Sequence, residues 1–96
     1  MKYPVVTICC STRYLNKVIE YYNELTHTGH IVLAELSDHD KQNEFNKRLV
    51  DDIHLAKIDM SDEVHILVKN GEMGESVTEQ CNYAMNKCKI IKVIEI

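Results

Sequence analysis

The chain has 96 residues, of which 45% are hydrophobic and 27% charged, and its formal net charge is −4. These values are typical of one small globular domain with a single core, so we interpret residues 1–96 as one domain. Because the net charge is negative, the chain has no excess of positive charge with which to bind a polyanion, which argues against a nucleic-acid partner. No apolar run approaches the roughly 20 residues needed to span a membrane.

The four cysteines predict neither a disulfide nor a metal site. Cys9 and Cys10 are adjacent in a predicted strand, where successive side chains point to opposite faces. Cys81 and Cys88 lie seven positions apart on a predicted helix, roughly 10 Å along its axis, which exceeds the roughly 7 Å Cα separation of a disulfide. Metal sites need closely paired ligands such as C-x-x-C, and the sequence has none. We interpret all four as small, buried apolar side chains in a reducing compartment, and we expect a cytoplasmic protein.

The first part of the chain predicts a strand followed by an amphipathic helix. The segment VVTICC (5–10) is a continuous β-branched run, typical of a central parallel strand buried on both faces rather than of a signal peptide. Ser11 or Thr12 can cap the helix that follows, and Gly29 suits the left-handed position after its end. The apolar residues at helical spacing, which we expect to be buried, are Leu15, Val18, Ile19, Tyr22 and Leu25.

The middle of the chain repeats this alternation. HIVLAEL (30–36) predicts strand 2, and a second helix is expected over about residues 41–57, after the turn residues SDHD. The pattern would allow a break in this helix before Leu55. The apolar stripe predicted for the helix consists of Phe45, Leu49 and Ile53.

Three further elements complete the chain. EVHILV (63–68) predicts strand 3, and a third helix is expected over about residues 76–87. KIIKVIEI (89–96) predicts strand 4, and the charges of Lys92 and Glu95 favour an edge position in the sheet.

Strand–helix alternation with short connections predicts a parallel sheet with right-handed crossovers. We therefore expect a minimal doubly wound α/β fold, with four parallel strands in the order 2-1-3-4 and helices on both faces. In such sheets ligands bind beyond the carboxyl ends of the strands, where the strand order reverses. That switch point lies between strands 1 and 3, so the loops of interest are CCSTRY (9–14) and KNGEMGESV (69–77).

The first loop carries groups that suit an oxygen-rich ligand. Ser11, Thr12 and Arg13 precede a helix, whose first N–H groups are unpaired and carry partial positive charge. Such an end can bind a phosphate, a carboxylate or a sugar hydroxyl. Helix capping by the hydroxyl of Ser11 or Thr12 would also account for these residues. The sequence does not distinguish between ligand binding and helix capping.

The second loop is its counterpart after strand 3. Gly71 and Gly74 permit backbone conformations closed to other residues and let a ligand approach closely. Glu75, Ser76 and Glu79 place carboxylates and a hydroxyl around the first turn of helix 3, although acidic residues favour helix starts through the dipole alone. Each loop is a weak signal by itself, and their coincidence at the switch point predicts a ligand site.

Four segments, in this order and spacing, resemble the nucleoside 2-deoxyribosyltransferase superfamily and, more narrowly, its short bacterial and phage members. They are TICCSTR (7–13), GHIVL (29–33), KIDMSDEVHILV (57–68) and GESVTEQCNYA (74–84). Members of this superfamily cleave the N-glycosidic bond of deoxynucleosides or deoxynucleotides. A glutamate at the start of helix 3 attacks the anomeric carbon, through an oxocarbenium-like transition state. The resemblance implies no metal and no organic cofactor, and a homodimer or larger homo-oligomer.

Three positions depart from the family pattern. Gln80 stands where the family has its glutamate, His54 where it has an assisting aspartate, and Cys10 where it has a glycine before Ser-Thr. A glutamine is nearly the shape of a glutamate and can hydrogen-bond sugar hydroxyls, but it lacks the negative charge of a nucleophile. A histidine at position 54 could act as an acid or base near neutral pH.

Helix geometry makes Glu79 a poor replacement for the family glutamate. At about 100° per residue, Gln80 lies roughly 80° from the apolar direction of helix 3, whereas Glu79 lies roughly 175° away and faces solvent. Only a helix that begins late, with Thr78 as its cap, would bring Glu79 into the site. The candidate catalytic positions are therefore Gln80, Glu79 and His54.

The resemblance and its departures imply a deoxyribosyltransferase-like protein that binds a nucleoside, nucleotide or nucleotide-derived ligand, with N-glycosidic chemistry weakened or lost at Gln80. One alternative is an active nucleoside deoxyribosyltransferase or deoxynucleotide N-hydrolase that uses Glu79 or Glu75. The other is a structural or partner-binding protein without a small ligand. The residues expected to bind the ligand are Cys10, Ser11, Thr12, Arg13, Gly74, Glu75 and Ser76.

Overall fold

The computed structural model describes residues 2–36 and 44–96, with Glu44 and Phe45 described by their backbone alone. Its elements alternate along the chain as predicted. The strands are β1 (Val5–Cys9), β2 (Ile31–Ala34), β3 (Glu63–Val68) and β4 (Ile90–Glu95). The helices are a 3₁₀ turn (Thr12–Tyr14), α1 (Leu15–His27), α2 (Glu44–Asp59) and α3 (Glu75–Asn86).

The strands form one parallel sheet in the order β2-β1-β3-β4. The helix α1 packs against one face and the helices α2 and α3 against the other. This arrangement confirms the predicted doubly wound α/β class and its strand order. The strand β4 occupies the edge position that its charges indicated, and Gly29, at a φ of 90°, takes the left-handed position after α1.

Two apolar cores flank the central strand β1, whose residues alternate between them. The core beneath α1 contains Val6, Ile8, Val18, Leu25 and Leu67. The core beneath α2 and α3 contains Cys9, Ile58, Val64, Ile66, Val68, Val77 and Ala84. Burial of β1 on both faces explains its uninterrupted apolar run, as expected of a central parallel strand.

The predicted buried face of α1 is partly wrong. Val18 and Leu25 are buried, but Leu15, Ile19 and Tyr22 are exposed. The half-buried residue on this face is Tyr21 instead, which the apolar spacing passed over. The helix is rotated toward β3 because the Tyr21 hydroxyl bonds His65 in that strand, at 2.7 Å from Nδ1.

The predicted stripe of α2 is wrong at two of its three residues, and the side chain of the third, Phe45, is not described. Leu49 and Ile53 are 51% and 48% exposed, and the helix continues to Asp59 without a break before Leu55. Among the side chains of α2 that the structure describes, His54 and Ile58 are the buried ones. The predicted helix residues 41–43 and the side chain of Phe45 lie outside the described part of the chain.

Polar contacts at the end of α2 fix this rotation. Lys57 Nζ donates to the carbonyl of Ala34 at 2.8 Å, which ties the helix to the end of β2. The carbonyl of Lys57 accepts from Thr7 Oγ1 at 3.1 Å and from Ser61 Oγ at 2.8 Å, and these two hydroxyls also contact each other. Buried hydroxyls need such partners, so these bonds define which side of α2 faces the sheet.

The cysteine prediction holds in part. All four cysteines are free, Cys9 is buried, and Cys10 and Cys81 are half-buried. Cys88 is exposed, contrary to the prediction, because it lies just beyond α3 in a left-handed turn at a φ of 58°. Within the described residues, no helix combines the length and the apolar character needed to cross a membrane.

A chain of polar contacts centred on the buried His65 joins α1 to β3 and β4. The Tyr21 hydroxyl donates to His65 Nδ1 at 2.7 Å, and His65 Nε2 donates to Glu63 Oε1 at 3.0 Å. Lys92 Nζ reaches the same carboxylate oxygen at 3.2 Å. The bond from His65, supported by Lys92, holds the pKa of Glu63 below its usual value.

Tyr21→Phe should lower the free energy of unfolding by about 1–3 kcal/mol, because it leaves the buried His65 Nδ1 without its donor. The matched control is Tyr22→Phe, which changes the exposed neighbouring tyrosine and should stay within about 0.5 kcal/mol of wild type. Urea unfolding of the three proteins measures both values. Equal effects of the two substitutions would contradict a stabilising role for the Tyr21–His65 bond.

Candidate functional site

A cleft of about 260 Å³ opens at the carboxyl ends of the strands, where the strand order reverses. Two of its walls are the loops singled out in the sequence, and its third wall is the N-terminal half of α2. The lining residues are Cys10, Ser11, Thr12, Glu35, Lys47, Asp51, Gly74, Glu75, Ser76, Val77 and Gln80. The structure thus brings together seven predicted site residues, namely Cys10, Ser11, Thr12, Gly74, Glu75, Ser76 and Gln80.

The helix α3 places Gln80 in the cleft wall. It begins at Glu75, directly after Gly74, and packs Val77 and Ala84 into the core. Gln80 is three residues after Val77 and is 8% exposed, so its amide lies at the border between core and cleft. A side chain in this position can present both a donor and an acceptor to a ligand.

Glu79 lies outside this cleft. It is exposed and lines an adjoining hollow of about 120 Å³ with Leu55 and Tyr83, next to Gln80. The late helix start that would have carried Glu79 into the site is not observed, because α3 already begins at Glu75. Of the two candidate carboxylates on this helix, only Glu75 faces the cleft.

Ser11 caps the 3₁₀ turn after β1, as the sequence allowed. Its Oγ accepts from the backbone N–H of Arg13 at 3.4 Å, and its carbonyl accepts from that of Tyr14 at 3.0 Å. These bonds form a 3₁₀ turn before α1 begins. The turn keeps Ser11 and Thr12 in the cleft wall but directs Arg13 into a neighbouring hollow.

His54 lies behind the cleft rather than in it. The ring is 1% exposed, and its Nε2 is 3.4 Å from the thiol of Cys9. Burial lowers the pKa of His54 to about 4, and the charge of Lys57 acts in the same direction, against Asp51 and Gln80. Burial also raises the pKa of Cys9 to about 12.

At neutral pH the Cys9–His54 contact therefore joins two uncharged groups. A nucleophilic cysteine needs a thiolate, which a partner imidazolium would stabilise, and neither ion is favoured here. Nor is an unprotonated, buried ring placed to protonate a leaving base in the cleft. His54 instead supports the wall behind Gln80, which lies close enough to influence the pKa of the ring.

The cleft is predominantly acidic. Glu35, Asp51 and Glu75 face Lys47, whose Nζ is 2.9 Å from Asp51 Oδ2 one helical turn away. That hydrogen bond raises the pKa of Lys47. Carboxylates in this arrangement can accept hydrogen bonds from sugar hydroxyls or from the N–H groups of a base.

Sequence reasoning missed three of these cleft residues. Glu35 directly follows β2, so its position at the carboxyl edge of the sheet could have been read from the strand assignment. Lys47 and Asp51 are four residues apart on α2 and share a face with His54 and Ile58. That face is polar over its first turns, so a search for apolar periodicity chose the opposite side.

Among residues 2–36 and 44–96, no three His, Cys, Asp or Glu side chains converge in an arrangement that could hold a metal ion. The described residues that line the cleft offer hydroxyls, carboxylates, a thiol, one amide and one ammonium group.

These features define a class of protein: a doubly wound α/β domain with a cleft at the switch point between its first and third strands. The 2-deoxyribosyltransferase of Bacillus psychrosaccharolyticus, described as a biocatalyst for the synthesis of antiviral and antitumoral nucleosides, matches with a TM-score of 0.79 at 12% identity. The 2-desoxiribosyltransferase of Leishmania mexicana matches with a TM-score of 0.71 at 13% identity. The chain therefore has the nucleoside 2-deoxyribosyltransferase-like fold.

The likeness covers 95% and 96% of this chain, which spans 72% of the length of the Bacillus protein and 64% of that of the Leishmania protein. No family model matches the chain, and no curated protein sequence matches it. At this level of identity, the likeness concerns the fold.

The buried His54 should make stability fall as the pH is lowered. In the folded protein the pKa of His54, about 4, lies below its ordinary value of 6.5. At a pH below 6.5 the unfolded chain therefore binds a proton on this residue, whereas the folded chain binds it only when the pH approaches 4. Between pH 7 and pH 5 this linkage should remove roughly 2 kcal/mol of stability. His54→Met, of similar volume and without a titrating group, should show a flatter profile in urea unfolding over this range. An unchanged slope in the variant would assign the pH dependence to other groups.

Proposed function

We propose that the protein binds a nucleoside, nucleotide or nucleotide-derived ligand in the switch-point cleft, and that its N-glycosidic chemistry is weakened or lost. The observation that carries the proposal is the placement of Gln80. In a fold shared with 2-deoxyribosyltransferases, an uncharged amide occupies the cleft wall at the first turns of α3. The sequence resemblance assigns the nucleophilic glutamate of those enzymes to this position.

The other cleft groups support binding. Ser11 and Thr12 offer hydroxyls from one loop, and Glu75 and Ser76 offer a carboxylate and a hydroxyl from the other. Such convergent hydrogen-bonding groups in a concave site are typical of specific recognition of a small polar ligand. Gln80 adds a donor and an acceptor without adding charge.

The proposed loss of N-glycosidic chemistry follows from the absence of a negative charge on the Gln80 amide. Attack on an anomeric carbon needs an electron-rich oxygen, and the developing oxocarbenium ion is stabilised by a negative charge beside it. Gln80 supplies neither, and the neighbouring His54 is uncharged at neutral pH. A ligand can therefore be held in the cleft while its glycosidic bond remains intact.

Glu75 sustains a second candidate function, an active deoxyribosyltransferase or N-hydrolase. Its carboxylate lines the same cleft as Gln80, whereas Glu79 lines only the adjoining hollow. If a carboxylate of α3 has replaced the family nucleophile, the geometry favours Glu75 over Glu79.

Product analysis distinguishes the two functions. Wild type, Gln80→Glu and Glu75→Gln should be incubated with a panel of 2′-deoxynucleosides and their 5′-monophosphates, and the released base quantified. We expect no release from wild type, and release from Gln80→Glu on the order of 10²-fold or more above that background, the scale of one positioned catalytic group. Glu79→Gln is the matched control on the same helix. Base release by wild type that disappears in Glu75→Gln would establish the active enzyme instead.

Binding can be tested independently of turnover. A ligand at 100 times its dissociation constant should stabilise the folded protein by about 2.7 kcal/mol, measurable as a thermal shift. Gly74→Leu should abolish that shift and lower the melting temperature of the free protein only slightly, because Gly74 is the N-cap of α3, where leucine is less favourable than glycine. A Cβ at Gly74 meets open space, and the backbone there has an ordinary φ of −71°. If no nucleoside or nucleotide shifts wild type, the structural or partner-binding alternative gains support.

The homodimer or larger oligomer implied by the family resemblance and the cytoplasmic location stay predictions. Light scattering of the purified chain during gel filtration measures its oligomeric state directly.

A further inference from the structure

The strand β4 forms an open edge of the sheet. It bonds β3 along its whole length, from Ile90 to Glu95, and within the described residues no strand pairs with its other side. Ile90 is 59% exposed on the face of the sheet that carries α1, and Val93 is 55% exposed on the opposite face. An apolar edge strand of this length offers its unpaired backbone groups to another strand.

The features that usually protect an edge strand from pairing are weak in β4. The strand contains no proline, and its register with β3 runs without a bulge. Its charged side chains are drawn back toward β3 and the loop that follows it. Lys92 Nζ lies 3.2 Å from Glu63 Oε1, and Glu95 Oε2 accepts from the N–H of Gly71 at 3.0 Å. The strand β2, at the other edge, is shorter and therefore less suited to pairing.

The direction of the free backbone groups of β4 follows from one hydrogen bond. The N–H of Ile96 donates to the carbonyl of Val68 at the end of β3, at 2.8 Å. In a parallel ladder the backbone groups of successive residues point alternately toward the partner strand and away from it. Those of Ile91, Val93 and Glu95 therefore point away from β3, and a strand that pairs with this edge must bond these residues.

We propose that a second copy of this chain pairs its β4 with this edge in the antiparallel direction, about a twofold axis that places Val93 opposite Val93 of the second copy. In this register Ile91 lies opposite Glu95 of the second copy. Every residue with outward-pointing groups thus meets another, and each pair exchanges both of its backbone hydrogen bonds. Two four-stranded sheets become one continuous sheet, and the two clefts open at its opposite ends.

The charges of β4 favour this register over its neighbours. Lys92 lies opposite Ile94 of the second copy, so no like charges are directly opposed. A twofold axis at Lys92 would oppose two ammonium groups, and an axis at Ile94 would place Ile91 opposite a position beyond the end of β4. With the axis at Val93, the side chain of that residue, exposed in the single chain, packs against its own copy.

Sedimentation velocity over a range of protein concentrations tests this interface. We expect wild type to form a dimer, and Val93→Lys and Val93→Glu each to raise the dimer dissociation constant about tenfold or more, because each opposes two like charges across the axis. An equimolar mixture of the two variants should dimerise again, since it pairs an ammonium with a carboxylate. Restored dimerisation also shows that both variants are folded.

Ile19→Lys is the matched control. It places the same charge on an apolar side chain of α1 that is 44% exposed, and it should leave the dimer intact. A wild type that stays monomeric from micromolar to millimolar concentration, a dimer that survives Val93→Lys, or a mixture that does not dimerise would each overturn the proposed interface. Loss of the dimer in Ile19→Lys alone would assign the contact to α1 instead. Since the described lining of the cleft contains no residue of β4, these outcomes do not bear on the proposed function.

Discussion

The parallel pairing of β1 on both of its edges is the constraint on which the rest of the molecule depends. The strand bonds β2 on one side and β3 on the other, and both of its faces are buried. Parallel strands point the same way, so the loops after β1, β2 and β3 leave the sheet at one edge. The helices that follow β1 and β3 then pack on opposite faces, and a gap opens between their first turns. The cleft is thus a consequence of topology before any particular side chain is considered.

The rotation of α2 decides what fills the third wall of that gap. As the crossover helix between two parallel strands, α2 runs back along the sheet, so its N-terminal half lies at the cleft and its C-terminal half in the core. The same side of α2 faces both regions. Lys47 and Asp51 on this side line the cleft, while His54 and Ile58 are buried against the sheet. The bonds made by Lys57 and Thr7 at the far end hold the helix in this orientation. The hydrogen bonds of Lys57 and Thr7 thereby position the charged side chains of Lys47 and Asp51 in the cleft.

The strands and their order were predictable because each rests on a strong local pattern, and the position of the cleft follows from that order. The β-branched run of β1 is typical only of a buried central strand. The direction of the Gln80 side chain followed from the positions of the buried Val77 and Ala84 on the same helix. The faces of α1 and α2 were not predictable from apolar spacing, since Tyr21 and His54 are buried through polar contacts that the spacing ignores. Lys47 and Asp51 were missed for the same reason, whereas Glu35 could have been found from the end of the predicted strand 2. Arg13 was assigned to the cleft because a 3₁₀ turn before α1 cannot be told from the helix itself by sequence.

An uncharged side chain at position 80 also agrees with the electrostatics around it. A carboxylate there would sit at the edge of the core, beside the neutral ring of His54 and close to a cleft that already holds three carboxylates. Desolvation and like-charge repulsion would both oppose its ionised form. An enzyme gains from such a charge, because the charge is what attacks and stabilises the reacting sugar, whereas a protein that only binds gains nothing from it. The amide removes the repulsion and keeps a hydrogen-bond donor and acceptor in place. The proposed loss of chemistry and the proposed retention of binding therefore both follow from the uncharged amide at position 80.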